Sequence, residues 1–158
     1  MKKVFSVFLV LAVLFTLFVP VCAAPEIESR AAILMDAQTG RVLYEKNADT
    51  RSLIASTTKI MTALVVLERA DLDAKVKIPK EACGVEGSSM YLVEGETLTV
   101  TELLYGLMLT SGNDAATALA VAVSGSEPAF VRLMNEKANE LGLTSTHFAN
   151  PSGLPDDD

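Results

Sequence analysis

Residues 55–61, Ala-Ser-Thr-Thr-Lys-Ile-Met, lead into an almost unbroken apolar run over residues 60–67. Because the run contains no Gly or Pro and is rich in good helix formers, it predicts a helix from about Ser56 to Ala70. At this spacing the hydroxyl of Ser56 and the amine of Lys59 share one face, one turn apart. The free N–H groups and positive dipole end of a helix N-terminus also favour developing negative charge near the serine. The stretch therefore places a nucleophile, a base and an oxyanion site within one helical turn.

A simpler interpretation is that Ser56 caps the helix and Lys59 is a solvated cation in its first turn. Ser-x-x-Lys alone is a weak pattern. Two features favour catalysis over capping. A capping serine is usually followed three residues later by an acid, whereas this one is followed by a lysine. In addition, a helix that is apolar nearly all round is expected in a protein interior, where a lysine has the lowered pKa that a base needs at neutral pH.

The first residues have the composition of a secretory signal peptide. Residues 1–3 are Met-Lys-Lys, residues 4–19 are apolar apart from Ser6 and Thr16, and Pro20 precedes a short stretch of small residues. The run is short for a spanning helix, so the pattern predicts a signal peptide rather than a retained membrane anchor. Cleavage is expected after Ala23. We therefore expect an exported, extracytoplasmic protein of the cell envelope or periplasmic space, with a signal peptide over 1–23 and the functional domain over 24–158.

Composition limits the chemistry of the mature chain. The formal net charge of the whole sequence is −7, and removal of Lys2 and Lys3 leaves 11 basic against 20 acidic residues, a net charge of −9. Such an acidic domain is not suited to nucleic acid or anionic lipid. Cys83 is the remaining cysteine and His147 the single histidine, so the sequence predicts no disulfide, no metal site and no cofactor. Lysine is then the most plausible base.

The rest of the chain predicts a β-hairpin followed by a helical lobe. A small polar loop, Ser111-Gly112-Asn113, separates two buried helices, although a helix-ending Gly112 followed by an Asn113 or Asp114 cap would explain it equally well. The predicted elements are hairpin strands over 30–35 and 42–44, a brief strand over 76–79, helices over 101–109, 114–123 and 126–141, and a turn over 147–154.

One hairpin is poorly stable in water without further strands. Its partner strands are expected further along the chain. The predicted fold class is thus α/β (α+β), with an antiparallel sheet and a helical lobe, truncated so that most of the sheet is missing. On this interpretation residues 24–158 alone would fold poorly and would be inactive.

Ser56-Thr57-Thr58-Lys59 followed by Ser111-Gly112-Asn113 resembles the low-molecular-weight penicillin-binding proteins, the serine D-Ala-D-Ala carboxypeptidases of the peptidase S11 family. The likeness runs from about Arg30 to Leu154. The motif Ser-Gly-Asn is similar to the corresponding motif of the carboxypeptidases, whereas β-lactamases usually carry Asp in its middle position. The resemblance implies a β-lactamase/transpeptidase-like fold.

The resemblance also implies the role of each site residue. Ser56 would attack the carbonyl between two D-alanines of a peptidoglycan stem peptide and form an acyl-enzyme, and its N–H would supply half of the oxyanion hole. Lys59 would accept the proton of the serine, and Ser111 would relay it to the leaving D-alanine. Asn113 would hold the substrate amide and contact Lys59. β-Lactam antibiotics such as penicillin would acylate the same serine.

The third motif of the family, Lys-Thr-Gly or Lys-Ser-Gly, does not occur in these 158 residues. In the family it lies on a strand beside the cleft, and many members also carry a C-terminal membrane anchor, the expected route of any membrane association. Two alternatives stay open at this point. One is a class A-like serine β-lactamase, and the other is a non-catalytic secreted protein that binds peptidoglycan.

Overall fold

The computed structural model describes residues 25–155, and the chain divides into two compact units, with the boundary in the sequence between Thr50 and Arg51. The predicted signal peptide, residues 1–23, lies outside the described residues. Within residues 25–155, none of the helices combines the length and the apolar character needed to span a bilayer.

The first unit contains the predicted hairpin. Strand β1 (Ala32–Met35) pairs antiparallel with β2 (Val42–Lys46), and the register shifts between Leu34 and Met35. The turn is closed by Asp36, whose carboxylate accepts hydrogen bonds from the backbone N–H and the hydroxyl of Thr39. The prediction of a hairpin is confirmed, with β2 two residues longer than the sequence indicated.

The second unit is a helical lobe with one short two-stranded sheet. Its helices are α1 (Thr58–Arg69), α2 (Val100–Leu109), α3 (Asn113–Ser124) and α4 (Glu127–Glu140), and its antiparallel strands are β3 (Lys75–Lys77) and β4 (Thr97–Thr99). All four predicted helices are confirmed to within a few residues. The core residues that are almost completely buried come from every helix: Val65, Val66, Leu103, Leu107, Leu119, Phe130 and Met134.

Helix α1 is buried on one side rather than all round. Lys59, Thr62 and Val66 are buried, whereas Ile60 is 63% exposed and Leu67 55% exposed. The interior position expected for this helix is therefore met on the side that faces the helical lobe, while part of its apolar surface is exposed. The apolar residues of the run are spread around the helix, and the helical lobe covers only those that face it.

The strand β4 was missed by the sequence analysis because three residues are too few to show an alternating pattern. Leu98 lies opposite Val76 of β3 in this pairing. The start of α2 was also misplaced at Thr101. The cap is Thr99, whose hydroxyl accepts from the N–H of Glu102 at 3.1 Å while the Glu102 carboxylate accepts from the N–H of Thr99 at 2.7 Å. This reciprocal pair is a capping box, which satisfies two N–H groups at the helix start.

The ends of α4 agree with the sequence analysis. Ser126 caps the helix by accepting a hydrogen bond from the N–H of Ala129, and Gly142 follows the last turn with a φ of +72°. Lys137 of α4 forms ion pairs with Glu140 of the same helix and with Glu68 at the end of α1. These pairs tie together the ends of the two helices.

A buried carboxylate, Asp114, fixes the loop before β4 onto α3. It is 1% exposed and accepts hydrogen bonds from the Ser89 hydroxyl and from the backbone N–H groups of Met90, Leu92 and Ala115. Burial works to raise the pKa of Asp114, but these four hydrogen bonds outweigh it and lower the pKa below the ordinary value of 3.8. The charged form is therefore the one that stabilises the fold.

We expect Asp114→Asn to lower the free energy of unfolding at neutral pH by about 3 kcal/mol, because the amide nitrogen meets N–H donors that need an acceptor. Since the folded-state pKa lies below the unfolded one, the stabilisation is complete above the unfolded pKa and is lost as the pH falls through the folded value. Denaturant titrations from pH 7 to pH 2 should show the difference between wild type and variant shrinking with acid. Asp73→Asn, at an exposed position, is the control, and equal losses in both variants would contradict the assignment.

Candidate active site

Ser56 lies in a 3-10 turn, Ala55–Thr57, immediately before α1. Ala55 has a φ of +47°, a left-handed conformation that non-glycine residues rarely adopt and that commonly marks functional sites. The turn is held by Thr57, whose hydroxyl donates to the carbonyl of Ile54 at 2.7 Å. As a result the Ser56 side chain is exposed at the tip of the helix.

Lys59 is the hydrogen-bond partner of Ser56. Its Nζ donates to Ser56 Oγ at 3.2 Å and to the backbone carbonyl of Ser152 at 2.7 Å. The residue is only 2% exposed, and burial lowers the pKa of its amine. Both of its hydrogen-bond partners are neutral, so neither supplies a negative charge that would hold the proton on the amine. This arrangement suits an amine that gives up its proton and then accepts one from the serine.

The segment 150–153, predicted only as a turn, supplies the second partner of Lys59. Asn150 Oδ1 accepts hydrogen bonds from Gly153 N at 2.7 Å, from Ser152 Oγ at 3.1 Å and from Ser152 N at 3.2 Å. Thr62 of α1 donates to the carbonyl of Pro151 at 2.7 Å. Sequence reasoning missed this contact because a backbone carbonyl carries no residue signature, although Asn-Pro-Ser-Gly is typical of a side-chain-closed turn.

Ser111 lies in the loop between α2 and α3 with a φ of +57°, whereas Gly112 has a φ of −61°. The alternative in which Gly112 ends one helix and Asn113 or Asp114 caps the next is therefore wrong, since no side chain caps α3. Gly112 is needed for space instead, because a Cβ there would lie 2.8 Å from Asp114 Oδ1. The buried hydroxyl of Ser111 has no hydrogen-bond partner among residues 25–155. Buried hydroxyl groups without a partner are rare in folded proteins.

Asn113 begins α3 and is buried. Its backbone N–H donates to the carbonyl of Ser88, and its Nδ2 donates to the carbonyl of Glu86, both at 2.7 Å. Contact between Asn113 and Lys59 stays a prediction, because the amide hydrogen bond goes to Glu86. A Cβ at Gly87 would lie 2.8 Å from Asn113 Nδ2 and 4.0 Å from Leu154. Gly87 thus lies close to both Asn113 and Leu154.

Lys59 contacts both the Ser56 hydroxyl and the Ser152 carbonyl. Asn113 begins helix α3, which packs against α1, and Ser111 lies in the loop just before α3. The single histidine, His147, is exposed and lines a cavity with Arg51, Ala55 and Asn150. Within the described part of the chain, no group of three His, Cys, Asp or Glu side chains could hold a metal ion. The titratable side chain that forms a hydrogen bond with the Ser56 hydroxyl is that of Lys59.

Comparison with known proteins gives the family. A family profile described as D-alanyl-D-alanine carboxypeptidase, peptidase S11, matches residues 19–158. The chain is 45% identical over 135 residues to D-alanyl-D-alanine carboxypeptidase DacF of Bacillus subtilis, covering 82% of this chain and 35% of that protein. It is 46% identical over 142 residues to the D-alanyl-D-alanine carboxypeptidase of Streptomyces sp. strain K15, covering 82% of this chain and 49% of that protein.

Solved structures agree with these relatives. The D-alanyl-D-alanine carboxypeptidase DacD from Francisella tularensis superposes with a TM-score of 0.81 at 40% identity, over 86% of this chain and 34% of that one. A mutant of the Streptomyces K15 DD-transpeptidase superposes with a TM-score of 0.80 at 42% identity, over 85% of this chain and 56% of that one. The predicted fold class is confirmed, with the helical lobe and antiparallel strands of a penicillin-binding protein. The chain spans about a third to a half of the length of these relatives, and it belongs to the peptidase S11 family of D-alanyl-D-alanine carboxypeptidases.

Proposed function

We propose that this chain carries the nucleophile and the base of a serine D-Ala-D-Ala carboxypeptidase that removes the terminal D-alanine from peptidoglycan stem peptides. The observation that carries the proposal is the buried Lys59 amine, 3.2 Å from the hydroxyl of Ser56. Lys59 accepts the hydroxyl proton while Ser56 Oγ bonds to the peptide carbonyl carbon. The Ser56 N–H stabilises the resulting oxyanion, as backbone donors do in acyl transfer.

Ser111 and Asn113 complete the proposed reaction. Collapse of the tetrahedral intermediate breaks the C–N bond, and the proton taken by Lys59 passes through Ser111 Oγ to the leaving D-alanine amine. The unpartnered, buried hydroxyl of Ser111 supports this role, because it has a free donor and free acceptor sites. Asn113 holds the substrate amide. The oxygen of a water molecule then bonds to the ester carbonyl carbon, and the bond between that carbon and Ser56 Oγ breaks. One proton of the water passes to Ser56 Oγ, and the hydroxyl stays on the released peptide acid.

β-Lactams are proposed to acylate the same Ser56 hydroxyl, and the resulting ester is proposed to be hydrolysed slowly. The protein is proposed to be exported, with residues 1–23 as signal peptide and residues 24–158 as part of the transpeptidase-like domain, and to act in the cell envelope. Its proposed partners are stem peptides ending in D-Ala-D-Ala and β-lactam antibiotics, with no role for nucleic acid, metal or cofactor. Any membrane association is proposed to depend on a C-terminal anchor of the kind found in the family.

The test is release of free D-alanine from a peptide ending in D-Ala-D-Ala by the full-length protein, with the same peptide ending in D-Ala-L-Ala as control. We expect release from the first peptide alone, together with a stoichiometric penicillin adduct. Rapid turnover of penicillin without release of D-alanine would favour the β-lactamase alternative. Binding of peptidoglycan with neither reaction would favour the non-catalytic one.

A further inference from the structure

One peptide group connects Asn150 to the catalytic lysine. The carbonyl of Ser152 accepts from Lys59 Nζ at 2.7 Å, and the N–H of Gly153, which belongs to the same peptide bond, donates to Asn150 Oδ1 at 2.7 Å. Because a peptide group is planar and trans, its carbonyl and its N–H point in opposite directions. The group is therefore held at both ends, by the Asn150 side chain and by the lysine.

Packing and a second hydrogen bond also restrict the movement of this peptide group. Gly153 has a φ of +83°, and a Cβ there would lie 2.0 Å from the carbonyl oxygen of Ala55, the residue before Ser56. The preceding carbonyl, that of Pro151, is held by the hydroxyl of Thr62, a completely buried residue. The segment is thus packed against the turn that carries the nucleophile and against the helix that carries the base.

Asn150 is the residue that gives the segment its shape. Its Oδ1 accepts from three donors, and its Nδ2 donates to the carbonyl of Leu154 at 2.8 Å. All four bonds lie within five consecutive residues, so removal of one side chain removes all of them at once. Hydrogen bonds in such a chain polarise one another, and a bond from Gly153 N–H to Asn150 strengthens the carbonyl of Ser152 as an acceptor.

We propose that Asn150 is a positioning residue for acylation, which through the Ser152–Gly153 peptide group holds the Lys59 amine in line with Ser56 Oγ. The inference rests on the proposed function of Lys59 as the base. Without the Ser152 carbonyl, the long and flexible lysine side chain has only the serine itself to fix its position. Loosening of the segment would also open a path for water to an amine that is now buried.

The test compares Asn150→Ala with wild type in the full-length protein. We expect the second-order rate constant for penicillin acylation to fall about ten- to a hundredfold, the range produced by displacement of a catalytic group by about 1 Å. A second readout does not depend on activity: reductive methylation of Lys59, followed by peptide mass spectrometry. We expect the Lys59 amine to react at least about threefold faster in the variant, because local opening exposes it.

Asn135→Ala is the matched control. The Asn135 side chain holds the backbone two residues before Asn150: it donates to the carbonyl of Phe148 at 2.8 Å and accepts from the N–H of Phe148 at 2.9 Å. These bonds do not involve Lys59. We expect a similar loss of thermal stability in both variants, but acylation and Lys59 methylation close to wild type in Asn135→Ala. Equal changes in both variants, measured well below both melting temperatures, would overturn the proposal.

Asn150→Asp should restore most of the acylation rate, because a carboxylate oxygen still accepts from the Ser152 and Gly153 donors. If Asn150→Ala shows no cooperative thermal transition, Asn150→Ser takes its place. Its shorter side chain cannot serve all the donors, so we expect changes of the same sign and smaller size. Unchanged acylation and unchanged Lys59 methylation in the folded variant would refute the inference. A wild-type protein that fails to react with penicillin would refute the proposed function instead, and the methylation result would still decide whether Asn150 positions the lysine.

Discussion

Replacement of Ser56 by alanine is expected to abolish attachment of labelled penicillin and release of D-alanine. The acyl-enzyme is an ester of the Ser56 hydroxyl, so without that oxygen no bond can form, whatever the state of Lys59. The fold should survive, because Ser56 is exposed and its hydroxyl accepts a hydrogen bond from Lys59, whose amine keeps its bond to the Ser152 carbonyl in the variant. Loss of one hydroxyl at a helix start costs about 1 kcal/mol. Intact-mass spectrometry of the penicillin-treated protein and thermal denaturation measure the two effects.

Thr57→Ala is the matched control for this experiment. Thr57 lies in the same 3-10 turn, and its hydroxyl bonds the carbonyl of Ile54 rather than Lys59. We expect this variant to lose a comparable amount of stability and to keep the penicillin adduct on Ser56. An adduct that persists in Ser56→Ala, or that maps to Ser111 in wild type, would show that another residue is the nucleophile.

The pairing of Ser56 with Lys59 could be predicted because it is local. Three residues of helical or 3-10 backbone bring the two side chains together whatever the rest of the fold does. The helices could be predicted for the same reason, since apolar periodicity and local stop signals such as Gly142 act within a few residues. The resemblance added the β-lactamase/transpeptidase-like fold, which a hairpin and four helices alone would not have given.

The partners that arrive from distant parts of the chain could not be predicted. The Ser152 carbonyl lies 93 residues from Lys59 in the sequence, and Asp114 gathers three of its four donors from a loop more than 20 residues away. Backbone groups have no side-chain signature, so only the folded chain shows which ones face the site. The alternative in which Gly112 ends a helix failed for a different reason. Glycine is the usual residue in the left-handed conformation, but here Ser111 adopts that conformation. The neighbouring residue is glycine because the Asp114 carboxylate leaves no space for a Cβ at Gly112.

Replacement of Lys59 by arginine is expected to be nearly as damaging as replacement by alanine, with acylation by penicillin reduced at least about a hundredfold, a typical contribution of a general base. Arginine keeps the positive charge but does not lose its proton near neutral pH. The lysine can do so more readily than usual, because burial lowers the pKa of its amine from the ordinary 10.5. The acylation rate of wild type should therefore rise with pH, and the rise should lie at lower pH than for an exposed lysine.

Size is the competing explanation for a defect in Lys59→Arg, because the side chain occupies a site that is only 2% exposed. Lys59→Met separates the two causes. Methionine is unbranched and smaller than arginine, so it fits the space, yet it can neither donate to the Ser152 carbonyl nor accept the serine proton. If proton acceptance is the role of Lys59, both variants fold and neither acylates at an appreciable rate. Substantial acylation by the arginine variant would show that a positive charge is sufficient, and the base that activates Ser56 would have to be another group.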